Sequence, residues 1–510
     1  MNFLKFRAVG KPITLLLLVF NFHFWGKQLN ATANTSTFPS PTVLASTQTI
    51  SPQDSTEDIC PAALPTAIEA ITNRSEFSHQ RWGILIQTLS SDQTLYNREA
   101  QQYFIPASTT KLFTTAAALR QLGSQYRIRT SVYSNNNGVV RVVGRGDPSL
   151  TDVQLRDLAQ QLKRQGISQV QQLILQDDYF QGSPIHPTWE WEDLVADYGA
   201  PVNSSIVNQN AIALILQPQK LGQPLQFRWN DPLAFWQWQV ENNAVTGDTG
   251  TENSLQVNGV LGKPFLQING QLAVDAEPEQ IDLPVRDPAE NFLRHFELAL
   301  QGEGIRILSA IVGSASNQSE SDRELAAVES PPLSQLIADT NQPSNNVYAE
   351  SLLKTIGVNN KDDQKQLNTE EKGLQALKAI LTNLGVDPKS YDLVDGSGLS
   401  RHNLISPSAL VQLLKGMAQL PEAEIYRTSL PVAGVSGTLK NRFINTTAAG
   451  IVQAKTGTMT GVNTIAGYVD APNYEKLVFS IMLNQSDLPA KNIRPAIDEI
   501  VVLLTRLRRC

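Results

Sequence analysis

The sequence predicts an α/β fold in which one domain of helices and strands is interrupted by a long β-rich insertion. Amphipathic helical patterns occur up to Gly123 and return after Pro331. Between Tyr126 and about Gly313 they give way to short β-type runs separated by Gly, Pro and Asn. Strand-like runs and a helix then end the chain. The two outer parts are therefore expected to form one discontinuous domain, with the middle part as its insertion.

Local patterns predict the elements in order along the chain. The first part has a helix over 61–73, a strand over 81–89 and a helix from Ser108 to Gly123. The insertion has β-type runs over 127–134, 138–144, 171–176, 211–217 and 265–270, and a helix over 288–304. The last part has helices over 333–342, 345–357, 370–385 and 406–420, strands over 449–459, 464–471 and 477–485, and a final helix over 495–509.

The N-terminal segment has the pattern of an export signal. Lys5, Arg7 and Lys11 precede the apolar run 13–20, and an Ala-x-Ala site follows at 31–33. Because the apolar run is too short to cross a bilayer, residues 1–33 are predicted to be a cleaved signal peptide. This prediction places the mature protein in the periplasmic or cell-wall space. An uncleaved anchor, with peripheral membrane association, remains the alternative.

The composition argues against nucleic acid as a partner and allows one disulfide. Residues 34–58, rich in Ser, Thr and Pro, are predicted to be a linker. The formal net charge is −7, and the four basic residues of the signal segment bring it to −11 when they are removed. An acidic chain without a basic cluster is a poor nucleic-acid binder. In an exported protein Cys60 and Cys510 form either a disulfide or two unpaired thiols.

Three short motifs predict the chemistry. They are Ser-x-x-Lys at Ser108 and Lys111, Ser-x-Asn at Ser344 and Asn346, and Lys-Thr-Gly at Lys455, Thr456 and Gly457. Any one of them alone is more often a helix cap or a turn. All three in this order, the first at a helix start and the last in a strand, are typical of the penicillin-recognising acyl-serine enzymes.

The residue types indicate a nucleophile with its base. The hydroxyl of Ser108 must lose a proton as it attacks a carbonyl, and Lys111, one helical turn further on, can take it as a neutral amine. Burial and the neighbouring charge of Lys455 are expected to lower the pKa of Lys111. Ser344 is expected to relay a proton to the leaving amine. Asn346 is expected to hold Lys111 and to bind a substrate amide.

The Lys-Thr-Gly strand is the predicted substrate-binding edge. Lys455 offers a positive charge to a substrate carboxylate, and the hydroxyls of Thr456 and Thr458 can hydrogen-bond to it. Gly457 is expected to leave room for the substrate backbone to lie along the strand. The backbone N–H groups of Ser108 and Thr458 are the predicted oxyanion hole.

On these motifs the chain resembles the class C low-molecular-mass penicillin-binding proteins, which are exported D-alanyl-D-alanine carboxypeptidases and endopeptidases. The likeness extends to 144–150, 189–212, 393–407 and 430–443, and covers most of residues 60–510. It implies a transpeptidase/β-lactamase-like fold, an antiparallel sheet flanked by helices, with two nested β-rich domains inserted after the nucleophile helix. It also implies cleavage of terminal D-Ala, or of D-Ala to diaminopimelate crosslinks, in peptidoglycan stem peptides, and acylation by β-lactams.

The domain boundaries are drawn at the changes of pattern. The transpeptidase-like domain is predicted to comprise 59–124 and 323–510, with 125–322 inserted and a nested domain within about 217–275. A serine β-lactamase and a non-catalytic peptidoglycan-binding protein on the same fold are the alternatives. The large insertion between the first two motifs argues against a simple carboxypeptidase and against a β-lactamase, and the intact motifs favour an enzyme.

The segment DGSGLSRHN contains the residue types of a Ser-His-Asp triad. Asp395, Ser397 and His402 lie too close together in sequence for triad geometry. The favoured interpretation is a loop at the substrate cleft, in which Asp395, Ser397 and Arg401 brace the site.

The remaining polar candidates are weak. Asp177 and Asp178 are either a contact for the amino group of diaminopimelate or a solvated strand end. His79, His186 and His295 have no metal-ligand spacing. No metal and no cofactor are therefore expected, and the oligomeric state stays open.

Overall fold

The structure is a computed structural model, and it describes residues 58–134, 138–314, 323–360 and 366–510. The predicted signal peptide, and all of the predicted linker except Asp58, lie outside these ranges. Within them, no helix has both the length and the apolar character needed to cross a bilayer.

The strands and helices of the described residues are named here in chain order. The strands are β1 (Arg81–Thr88), β2 (Thr94–Arg98), β3 (Arg129–Ser134), β4 (Val139–Val143), β5 (Gln169–Val170), β6 (Gln172–Gln176), β7 (Ala211–Gln217), β8 (Gln226–Trp229), β9 (Gln239–Asn242), β10 (Val245–Gly247), β11 (Gln256–Gly259), β12 (Phe265–Asn269), β13 (Gln271–Ala273), β14 (Glu279–Pro284), β15 (Arg306–Ile307), β16 (Ala310–Gly313), β17 (Arg323–Glu329), β18 (Tyr391–Asp392), β19 (Leu404–Ile405), β20 (Val452–Met459), β21 (Val462–Val469) and β22 (Leu477–Asn484). The α-helices are α1 (Leu64–Thr72), α2 (Lys111–Leu122), α3 (Asp152–Arg164), α4 (Pro288–Gly302), α5 (Leu333–Asn341), α6 (Asn346–Val358), α7 (Thr369–Asn383), α8 (Pro407–Ala418), α9 (Ala423–Thr428) and α10 (Ala490–Thr505).

The sheet that carries the Lys-Thr-Gly motif joins the two ends of the chain. Its strand order is β2-β1-β22-β21-β20, and every neighbouring pair is antiparallel. Along β1, Ile84 and Ile86 pack with α1 and α10 on one face, and Leu85 packs with α2 and α8 on the other. Each face is therefore covered by helices, and the predicted fold class is confirmed.

The inserted part contains its own sheets. The strands β16-β6-β4-β3-β17 form a five-stranded sheet in which β4, β6 and β16 are parallel, and β17 belongs to it although it begins just after the predicted end of the insertion at 322. Parallel neighbours need crossover connections, and α3 and α4 provide them while packing on this sheet. A second core is formed around β7, β8 and β14 and around β9, β11 and β12. The domain limits drawn from the sequence stay a prediction.

The sequence analysis missed α3 within the insertion. This helix starts with a capping box, in which the Thr151 hydroxyl accepts a backbone N–H and the Gln154 side chain accepts the backbone N–H of Thr151. Leu155, Leu158 and Leu162 then follow at helical spacing and are fully buried. Both signals were readable, so the omission was an error of interpretation. The helix predicted over 288–304 is confirmed as α4.

A disulfide joins the two ends of the described chain. Cys60 and Cys510 are bonded, with their Cα atoms 5.8 Å apart. The neighbouring helices α1 and α10 pack in one core beneath the sheet, as this link requires. The disulfide hypothesis is therefore confirmed over the alternative of two unpaired thiols.

Candidate active site

Ser108 lies in a tight turn that leads into α2. The turn is a 3-10 helix over Ala107–Thr110, and it is tied to β21 because the Thr464 hydroxyl donates to the Pro106 carbonyl at 2.7 Å. The helix then continues from Lys111, so the lysine lies one turn beyond the serine and points to the same side. This connection fixes the serine against the sheet.

The Lys111 amine is fully buried and has three partners. Its Nζ atom lies 2.9 Å from Ser108 Oγ, 2.6 Å from Asn346 Oδ1 and 2.8 Å from the Ser397 carbonyl oxygen. Burial lowers the pKa of Lys111 to about 7, against the opposing effect of nearby carboxylates. A neutral amine is therefore available beside the Ser108 hydroxyl near neutral pH.

The second lysine of the motif set lies beside the second serine. Lys455 Nζ donates to Ser344 Oγ at 2.7 Å and to the Thr456 carbonyl at 2.8 Å. Burial, and then the positive charge of Lys111, hold the pKa of Lys455 well below its usual range. The sequence analysis expected burial and the charge of Lys455 to lower the pKa of Lys111: burial does so, whereas the effect of one lysine charge on the other is found at Lys455.

The Ser-x-Asn motif is presented by the start of α6. Ser344 adopts a positive φ of 68°, and Asn345 caps the helix by accepting the Tyr348 N–H at 3.1 Å. Asn346 is thereby placed in the first turn. Its Oδ1 accepts from Lys111, and its Nδ2 donates to the Tyr198 carbonyl at 2.8 Å. The side-chain amide that was expected to bind a substrate amide therefore links Lys111 to the inserted part.

The structure gives a different reason for the glycine at position 457 from the one predicted. A Cβ at this position would lie 2.3 Å from Thr464 Oγ1, 2.7 Å from the Pro106 carbonyl oxygen and 2.9 Å from the Ser108 backbone nitrogen. The absent side chain therefore makes room for the Ser108 turn, rather than for a substrate backbone. It lets β20 approach the nucleophile. β20 is the last strand of its sheet, and the outer edge of its first half bonds to residues 431–433; the edge beyond Ala454, which carries the motif, is where a further strand can be added.

Residues of the first two motifs, together with Thr458 next to the third, line one cleft of about 600 Å³. Its catalytic side is lined by Ser108, Ser344, Asn346 and Thr458, and its other walls include Glu190, Glu192, Asp193 and Arg401. The structure thus brings the two motif serines and the end of the Lys-Thr-Gly strand to a single space, while Lys111 and Lys455 are buried and do not line it. Thr456 lies beside it, where its hydroxyl donates to that of Thr438 at 2.8 Å.

The three acidic residues of the cleft were missed as site residues. They belong to the segment 189–212, which the sequence analysis used only for its family likeness. Their clustering in WEWED was the available signal. Arg401 faces them and donates to Glu190 at 2.9 Å. The cleft therefore presents carboxylates together with one guanidinium group.

The other candidates lie elsewhere. Both oxygens of Asp177 accept from the Asn203 amide at 2.9 Å, and burial raises the pKa of Asp177. Asp178 accepts from Gln176 at 2.9 Å. Neither residue lines the cleft, so the structure does not support their proposed contact with an amine. In the described ranges no three His, Cys, Asp or Glu side chains lie together as a metal site.

The DGSGLSRHN loop braces the site from behind. The Asp395 carboxylate accepts the backbone N–H groups of Gly398 and Ser400, each at 2.7 Å. It also accepts from the side chains of Asn403 at 2.8 Å and Trp189 at 3.1 Å. This arrangement agrees with a bracing loop and not with a triad.

Comparison with known proteins gives a consistent assignment. Residues 64–504 match the family model described as the D-Ala-D-Ala carboxypeptidase 3 (S13) family. A D-alanyl-D-alanine carboxypeptidase of Actinomadura sp. (strain R39) is 33% identical over 428 residues, covering 80% of this chain and 78% of the relative. A penicillin-sensitive carboxypeptidase A of Dictyostelium discoideum is 31% identical over 461 residues, covering 84% of this chain and 87% of the relative. The crystal structure of penicillin binding protein 4 of Haemophilus influenzae superposes with a TM-score of 0.74 at 26% identity, covering 86% of this chain and 98% of that one.

Proposed function

This chain belongs to the D-Ala-D-Ala carboxypeptidase 3 (S13) family, and from that membership we propose how its own residues carry out the reaction. Its activity is that of a serine-type D-Ala-D-Ala carboxypeptidase, as the sequence predicted. The observation that carries the residue assignment is the buried Lys111 amine 2.9 Å from the Ser108 hydroxyl, at the wall of a cleft.

Acylation begins with proton transfer from Ser108 to neutral Lys111. The Ser108 oxygen forms a bond to the carbonyl carbon of the penultimate D-Ala as its proton moves to the amine. The carbonyl oxygen becomes negatively charged, and the backbone N–H groups of Ser108 and Thr458 stabilise it. The Lys111 pKa of about 7 suits this step, since a useful base has a pKa near the working pH.

The C–N bond then breaks, and the departing amine needs a proton. The Ser344 hydroxyl, which accepts from Lys455 at 2.7 Å, is the proposed donor, and the proton that Lys111 took from Ser108 replaces the one it gives up, so that Lys111 is neutral again. In the second half of the reaction, water attacks the acyl-serine ester. Lys111 takes the proton of the water and returns it to Ser108, so that the enzyme is restored and one peptide bond has been hydrolysed.

The cleft supports a finer proposal about the substrate. Glu190, Glu192 and Asp193 offer negative charge and Arg401 offers positive charge, so the walls fit a stem peptide that carries both an amino and a carboxylate group. We propose that the enzyme cleaves terminal D-Ala and also D-Ala to diaminopimelate crosslinks. A β-lactam carbonyl would acylate Ser108 in the same position.

The site of action is also a proposal. A substrate made of peptidoglycan stem peptides lies outside the cytoplasmic membrane, which agrees with the predicted signal peptide over 1–33. We therefore propose an exported protein of the periplasmic or cell-wall space.

The test is to digest purified crosslinked muropeptides and to identify the products. The wild-type protein should release free D-alanine and separate crosslinked dimers, and it should form a long-lived adduct with labelled penicillin. Ser108→Ala should lose all three properties, while Ser168→Ala, at an exposed position in the insertion, should keep them. Fast turnover of the penicillin would instead identify a β-lactamase. A wild-type protein without D-alanine release would identify a binding protein.

A further inference from the structure

A buried carboxylate behind the site reaches the catalytic amine through a single peptide unit. Asp395 and Ser397 are both fully buried, and neither lines the cleft. We propose that Asp395 is a positioning residue, which acts through the Ser397–Gly398 peptide to aim the lone pair of Lys111 at the Ser108 hydroxyl. This inference rests on the proposed function, because it takes Lys111 as the base.

Both ends of that peptide unit are occupied. Asp395 Oδ1 accepts its N–H, from Gly398, at 2.7 Å, and Lys111 Nζ donates to its carbonyl oxygen, from Ser397, at 2.8 Å. A negative charge hydrogen-bonded to the N–H of an amide polarises the amide and strengthens its carbonyl as an acceptor. The carboxylate therefore influences the amine without touching it.

The partners of Lys111 leave one direction for its lone pair. A neutral amine has two N–H groups and one lone pair, arranged tetrahedrally. The acceptors Asn346 Oδ1 and Ser397 O take the two N–H groups, at 2.6 and 2.8 Å. The third partner, Ser108 Oγ at 2.9 Å, then faces the lone pair. If the Ser397 carbonyl were displaced, an N–H of the amine could turn toward Ser108 and the base would be lost.

The peptide has little freedom to move. Gly398 adopts a positive φ of 82°, and a Cβ there would lie 2.0 Å from the Ala107 carbonyl oxygen, so the loop packs directly on the nucleophile turn. On the preceding residues, Glu350 accepts the N–H groups of Gly396 at 3.0 Å and Ser397 at 2.7 Å. Two buried carboxylates therefore hold successive amides of the loop, and the one from Asp395 holds the amide that contacts the base.

The charge of Asp395 also acts on the titration of the base. Asp395 and Glu350 favour the ammonium form of Lys111 and so raise its pKa, while burial lowers it. The other titratable groups that face this cluster are Lys354 of α6, Glu370 of α7, Lys455 of β20, and the loop residues His186 and His402. Removing the charge of Asp395 should lower the pKa of Lys111 further. Asp395 also raises the pKa of Glu350 and of Glu370, so its removal favours their ionised forms, and these offset part of that fall.

The experiment compares Asp395→Asn and Asp395→Glu with the wild type. The readouts are kcat/KM for D-alanine release and the acylation rate with labelled penicillin, each measured across pH. Asp395→Asn keeps the size and removes the charge. We expect both rates to fall by roughly ten- to a hundredfold at their plateau, as for a lost charged hydrogen bond. We also expect the acid limb of the pH–rate profile, where the rate rises as Lys111 loses its proton, to move to lower pH.

The second variant separates position from charge. Asp395→Glu keeps the charge but displaces the carboxylate, so its plateau should fall while its acid limb stays near that of the wild type. If Asp395→Asn does not fold, this variant carries the test, and a wild-type plateau would overturn the proposal. Trp189→Phe removes another donor to the same carboxylate and leaves the Gly398 bond intact, so its acid limb should not move.

The outcomes distinguish this inference from the proposed function. A wild-type protein that neither releases D-alanine nor forms an adduct would remove the function itself. An active wild type, with Asp395→Asn matching it in plateau and acid limb, would overturn only the role of Asp395. Equal losses in Asp395→Asn and Trp189→Phe, with unmoved acid limbs, would also overturn it, because they would show a purely structural carboxylate.

Discussion

Gly457→Ala is expected to separate the catalytic strand from the nucleophile turn. The added Cβ would lie 2.7 Å from the Pro106 carbonyl oxygen and 2.9 Å from the Ser108 nitrogen. Both are backbone atoms, so neither can rotate away as a side chain would. An ordinary contact begins at 3.4 Å. Strand and turn must therefore part by roughly 0.7 Å, and a displacement near 1 Å at reacting groups costs about 10²-fold in rate.

The two N–H groups of the proposed oxyanion hole lie on opposite sides of this contact. One belongs to Ser108 in the turn and the other to Thr458 in β20, so moving the strand changes their separation. We expect kcat for D-alanine release to fall by about 10²- to 10³-fold, the cost of losing one such donor. Overpacking should also lower the free energy of unfolding by about 1–3 kcal/mol.

The assay is acylation by labelled penicillin and D-alanine release, with urea unfolding measured on the same preparations. Gly302→Ala is the matched control, because a Cβ there meets nothing within 4 Å at the exposed end of α4. It should leave both rates unchanged. A folded Gly457→Ala protein that acylates at the wild-type rate would refute the reasoning, since the oxyanion hole would then tolerate the displacement.

Two further predictions concern pH and stability. Burial lowers the pKa of Lys111 to about 7, so below that pH the amine is protonated and unable to accept the Ser108 proton. The value of kcat/KM should therefore rise through about pH 7 and then level off. A flat profile of kcat/KM between about pH 5 and 9 would contradict this. Replacing Cys60 and Cys510 by Ser should lower the free energy of unfolding by about 2–5 kcal/mol, because the disulfide closes a loop with a sequence separation of 450. The urea midpoint of this double variant should fall while kcat stays unchanged, and equal midpoints would show that the link does not stabilise the fold.

Burial gives the site two amines that need not carry a charge. Lys111 and Lys455 are both fully inaccessible to solvent, where an ammonium group is costly. Each amine has neutral acceptors, Asn346 Oδ1 and the Ser397 carbonyl for Lys111 and the Ser344 hydroxyl for Lys455. The fold therefore meets the hydrogen-bonding needs of the lysines with neutral acceptors and keeps the carboxylates one layer further away.

The sequence was sufficient for the chemistry and for most of the elements. Each of the three motifs keeps its reactive groups within four residues, so local spacing alone indicates which atoms can meet. The longer strands and helices of the outer domain have regular hydrophobic periodicity, and most were predicted within a few residues of their ends. The elements β2, β18, β19 and α9 were not predicted, and α10 begins at Ala490, before its predicted start at 495. For the insertion, the capping signal of α3 was present at Thr151 and was overlooked.

The contacts that tune the site depend on residues distant in sequence. Asp395 contacts Lys111 only indirectly, through the Ser397–Gly398 peptide of a loop that is distant from Lys111 in sequence. No local sequence pattern predicts this contact. The structural reason for a glycine at position 457 could not be predicted from local sequence either, since its missing Cβ makes room for a turn that precedes it by more than three hundred residues. Residue types near one another in the chain dictate which reaction is available. Packing of distant segments sets the burial, and burial sets the charge of the lysine that starts the reaction.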